Sequence, residues 1–196
     1  MDDAYQAALR TWSADPHDLE AILELARAAE RGGLPLPPEL DPTRRVLALT
    51  EVVQEAYTHL DGGGYVNNAA CARLDWSGPP EDPDRVRDAL CKIHESEHGE
   101  GHMPFPCLAV HGLSEVETLR FGCYHAYEPG TQPELTAAFA RIETTVDELL
   151  ASLPGPRCYA VEADYPDDGE VYGSATYLLC VPPLRVSYLL VVQYVG

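Results

Sequence analysis

The chain has 196 residues, 45% of them apolar, which suffices for one domain with a substantial core and is too much for a disordered chain. Thirty-two acidic residues oppose thirteen basic ones, a formal charge of −19, and twelve of the thirteen bases are arginine. Such a surface repels nucleic-acid phosphates, so the expected partner is a basic protein and not DNA or RNA.

The opening stretch MDDAYQAALR has neither a basic segment nor an apolar run, and no signal peptide is expected. The longest strongly apolar stretch, YLLVVQYV, is too short to span a bilayer, so no membrane association is expected either. Cysteines stand at Cys71, Cys91, Cys107, Cys123, Cys158 and Cys180, with no CxxC pair. Without an export signal they read as reduced, mostly buried side chains of a cytoplasmic protein.

The first 34 residues predict a helical hairpin. Tyr5, Ala8, Leu9 and Trp12 share one face of the first helix. The second opens at DPHDLE, with Asp15 as the expected cap and Pro16 in the first turn. It buries Leu19, Ile22, Leu23 and Ala26 and stops at Gly32-Gly33. The pair resembles one tetratricopeptide-type unit, but no second copy follows at a fixed period, so no repeat protein is inferred. Residues 35–42, within LPLPPELDP, form a stiff proline-rich connector to an expected α+β domain over 43–196.

That domain opens with a helix expected over Thr43 to Leu60, carrying Val46, Leu49, Val53, Ala56, Tyr57 and Leu60. The following DGGG reads as a turn, because no Gly-Lys-Ser/Thr follows to make a phosphate loop. One short strand is expected around Ala69 to Leu74, then a helix from about Pro83 to His98 capped by Asp82 or Asp84. CLAVHG and LRFGCYHAY read as strands joined through LSEVET, a hairpin that would bring Cys107 near His125. There, core packing by cysteine is the stronger expectation than nucleophilic chemistry.

TQPELTAAFARIETTVDELLASL is the clearest helix. Thr131 and Glu134 make a capping-box pattern, and Leu135, Phe139, Ile142, Val146, Leu149 and Leu153 recur at helical spacing. Three strands follow, RCYAVEADY, EVYGSATYLLCV and RVSYLLVVQYV, turning at PDDG around Asp168-Gly169 and at PP. The last is apolar on both faces, which predicts a strand inside the sheet and covered on both sides. The class is therefore α+β: an N-terminal helical hairpin plus an antiparallel sheet of about five strands packed against two or three helices.

Chemistry concentrates in ALCKIHESEHGEGHMPFPC, residues 89 to 107. On the helix ending at His98, Val86, Ala89, Leu90 and Ile93 span about 100° of arc and form the buried stripe. His94, His98 and Cys91 fall about 80°, 120° and 140° from Val86, a second stripe beside the first. His94 and His98, one turn apart, suit a single tetrahedral ion.

His94, Glu95 and His98 spell HExxH, and here the chain resembles the zincin metallopeptidases. The resemblance implies a zinc-dependent hydrolase or peptidase with His94 and His98 as ligands and Glu95 as the base that activates water. Gly101 also matches the longer HExxHxxGxxH form, but His102 comes two residues early and Pro104 holds the third histidine's place. A non-catalytic zinc site would draw on Cys91, His94, His98 and His102. The leading expectation remains an acidic interaction protein without catalytic activity, of the immunity or inhibitor type, because no complete catalytic constellation accompanies the charge.

Overall fold

The computed structural model describes residues 3–16, 18–58, 68–75, 78, 82–98, 109–119, 133–164 and 172–195. Helix α1, Asp3–Ala14, pairs with α2, Leu19–Gly32, as the hairpin pattern requires. The cap of α2 is Asp18, whose carboxylate accepts from the backbone N–H of Glu20 at 2.9 Å and Ala21 at 3.1 Å. This corrects the expectation for Asp15. The Asp15 N–H is already bonded to Thr11 O, so Asp15 belongs to the end of α1 and Pro16 to the turn.

The buried face of α2 is rotated from the expected stripe. It holds Ala21, Ile22, Leu25, Ala28 and Ala29, while Leu19 and Leu23 are half-buried. Alanines let the neighbouring helix approach closely, so they outrank bulkier residues nearby. Gly33 ends α2 at φ 60°, with the Leu34 N–H donating to Ala29 O at 2.9 Å. The connector passes Pro35, whose carbonyl accepts from the Tyr5 hydroxyl, and enters a single 3-10 turn, Pro38–Leu40. Leu40, fully buried, joins Ala8, Ile22, Leu25 and Leu47 in one cluster.

Helix α3, Asp41–Thr58, starts two residues before the expected Thr43, with Asp41 bonded to both Arg44 and Arg45. Strand β1 spans Asn68–Asp75 and α4 spans Pro83–His98, with the Asp82 carboxylate accepting from the Asp84 N–H. Strand β2 runs Ala109–Val116, α5 Pro133–Ser152, β3 Arg157–Asp164, β4 Tyr172–Val181 and β5 Val186–Val195. The turn at Asp168-Gly169, the triple glycine and Thr131 lie outside the described residues.

The five strands form one antiparallel sheet in the order β1-β5-β4-β3-β2. Strand β5 lies between β1 and β4, interior as expected. LSEVET is no connector: β2 continues through Val116 and pairs with β3. A bulge at His111, between Val110 and Gly112, breaks the two-residue alternation that marks a strand in sequence. The proposed partner stretch, residues 120–127, lies outside the described residues.

Alternate residues of β5 feed two cores. Val186, Tyr188, Leu190 and Val192 face α3 and α5, meeting Val46, Leu49 and Val53 from one helix and Ile142, Val146 and Leu149 from the other. Leu189 and Val191 face the opposite side, under Val86, Ala89, Leu90 and Ile93 of α4. Among the described residues the fold is thus α+β, with α3 and α5 on one face of the sheet and α4 on the other. No helix among the described residues is long and apolar enough to cross a membrane.

Candidate functional site

Helix α4 buries Val86, Ala89, Leu90 and Ile93, the four residues that its periodicity predicts. Cys91 lies half-buried against the α4-side core. The helical backbone continues through His98, which keeps positions 94 and 98 one turn apart. The side chains of His94, Glu95 and His98 lie outside the described residues, as does His102 altogether. Among the described residues no three His, Cys, Asp or Glu side chains converge on a point that could hold a metal ion. Cys107, Cys123 and His125 also lie outside the described residues, and His111 is exposed at the β2 bulge.

A different site does emerge, around the edge of β1 that has no partner strand among the described residues. It is a cavity of about 440 Å³ whose floor is β1 from Cys71 to Leu74. Leu19, at the start of α2, closes one side. Arg85, Asp88 and Lys92 of α4, with Ala89 and Ile93 beneath them, close the other. Consecutive strand residues point to opposite faces, and the cavity sees both because it wraps around a strand with no neighbour on that side among the described residues.

The α3 side of this edge is tied down by two polar contacts, one exposed and one buried. Arg73 Nη1 donates to Pro16 O at 2.7 Å, anchoring the α1–α2 turn to the sheet. Tyr188, directly across from Arg73 in the β1–β5 register, shares a hydrogen bond with Thr43 at 2.9 Å, oxygen to oxygen. Burial pushes the Tyr188 hydroxyl above its usual pKa, against the pull of Thr43 and Arg73. Both polar side chains of the Thr43–Tyr188 pair are buried, and each supplies the other's partner.

Two thiols are shifted by their surroundings, Cys71 at this edge and Cys158 on β3. Burial raises Cys71 to about 12 although Thr50 opposes it, and raises Cys158 to about 11. Burial therefore keeps both thiols protonated near neutrality. Arg44 and Arg45 both bond Asp41, at 3.1 Å and 2.7 Å, and their guanidinium groups, Arg45's first, lower the Asp41 pKa.

The β1 cavity was missed in sequence, although two signals pointed to it. Lys92 is the chain's single lysine, and Arg73 interrupts the otherwise uncharged run NAACARL. No family model, curated protein or solved structure matches this chain.

Proposed function

We propose that this chain is an acidic, cytoplasmic interaction protein without catalytic activity that binds a basic protein partner, in the manner of an immunity or inhibitor protein. The observation that carries the reading is the excess of thirty-two acids over thirteen bases. The outer face of the α3–α5 pair supports it. Glu51, Glu55, Glu143, Asp147 and Glu148 are exposed there, and the nearby Arg141 is engaged by Glu55 at 3.0 Å. A surface of this kind steers a basic partner over long range and loses its hold as salt screens it. Residues 1–34 serve in this reading as a helical appendage, with 35–42 as connector and 43–196 as the body.

The test is a pull-down with the whole chain as bait, followed by affinity measurement across salt. The partner's affinity falls by at least about tenfold between 50 mM and 500 mM NaCl, and a Glu51→Lys/Glu143→Lys/Asp147→Lys variant loses it. A complex indifferent to both salt and charge reversal overturns the reading. A second reading, a zinc site with or without hydrolase activity, is favoured by the α4 backbone that holds positions 94 and 98 one turn apart. It requires about one zinc per chain in untagged protein, lost in His94→Ala or His98→Ala and kept in Glu95→Gln with activity abolished.

A further inference from the structure

We propose that the cavity at the edge of β1, unpaired among the described residues, binds a small amphipathic carboxylate, an apolar body ending in one anionic head. Its volume, about 440 Å³, falls within the ~300–1,000 Å³ of small-molecule sites. The apolar wall comes from Leu19, Ala72, Leu74, Ala89 and Ile93, contributed by three separate elements. The lining inverts the sign of the molecule. Arg73, Arg85 and Lys92 line the cavity against a single acid, Asp88, in a chain whose acids outnumber its bases more than two to one.

Asp88 is partly offset, because Arg87 Nη2 lies 3.4 Å from its carboxylate. Lys92, exposed on α4, has no ion-pair partner among the described residues. It and Arg85 stand two turns apart on α4, with Asp88 between them, and both line the cavity beside the apolar wall. Arg73 holds the back of the cavity through its bond to Pro16 O. An undirected greasy patch on so acidic a protein would collect cations, so preference for an anion isolates the effect of these side chains.

The probes are decanoate, decanol and decyltrimethylammonium, each below its aggregation concentration, titrated into the full chain by calorimetry and by amide NMR. Decanoate saturates one site, with shift changes confined to β1, the first turn of α2 and α4. Decanol binds there about tenfold more weakly, and the cationic amphiphile leaves those amides unmoved. Arg85→Glu/Lys92→Glu weakens decanoate about tenfold or more, and Lys92→Gln, a change at an exposed position that cannot disturb the core, weakens it measurably. Equal response to all three amphiphiles, decanoate binding unchanged in both variants, or no saturable binding of decanoate overturns the proposal.

Discussion

Cys71 illustrates how much one side chain's surroundings decide. The residue as a whole is half-buried because its backbone lies on an edge strand, yet its thiol turns inward toward Thr50 and is held protonated to about 12. An unfolded thiol titrates near 9, so the folded state holds its proton over the interval between. The stability this contributes is complete below pH 9 and disappears as pH rises toward 12, at a slope of up to about 1.4 kcal/mol per pH unit. Cys71→Ala is accordingly less stable than the parent at pH 8, by about 1 kcal/mol for the lost packing, and the gap narrows above pH 9. Urea unfolding of both proteins from pH 7 to 10.5 measures this; parallel curves would mean that the thiol titrates freely. Nothing in the sequence marks Cys71 out from the other five cysteines. Its character comes from the β1 register, which sets it opposite Leu190 and beneath α3.

Elements were legible where a single periodicity governed them. The α4 stripe of Val86, Ala89, Leu90 and Ile93 follows from 3.6-residue spacing alone, because those four residues all pack against the sheet. Helix α2 contacts both α1 and the start of α3, so its buried face includes alanines that a search for large apolar residues passes over. Strand β2 was truncated in sequence because the His111 bulge resets its alternation. The β1 cavity was illegible for a related reason: Arg73, Arg85 and Lys92 belong to a strand and a helix whose juxtaposition only the sheet order supplies. HExxH, by contrast, is wholly local and needs no fold to be seen. Capping offers a direct check. Asp18→Ala removes the acceptor at the start of α2 and costs about 1 kcal/mol, whereas Asp15→Ala stays within about 0.5 kcal/mol. Denaturant midpoints of the two variants decide between the positions, and a larger loss at Asp15 would restore it as the cap.

At the scale of the whole molecule, charge opposes compaction. The described ion pairs, such as Asp41 with Arg45, Asp84 with Arg87 and Glu55 with Arg141, are all exposed and worth at most about 1 kcal/mol each. Repulsion among the surplus carboxylates outweighs them, so raising NaCl from 50 mM to 500 mM raises Tm by about 2–5 °C. A fall in Tm over that range would mean that attractive pairs outweigh the repulsion. The sheet order carries one more consequence. Strand β1 bonds to β5, from Asn68 with Gln193 to Asp75 with Val186, so partners that touch are separated by more than a hundred residues of chain. Ribosomal synthesis delivers β1 long before its mate. During that interval the nascent chain carries an unzipped strand, and the slow closure of this largest loop sets the pace at which the molecule matures.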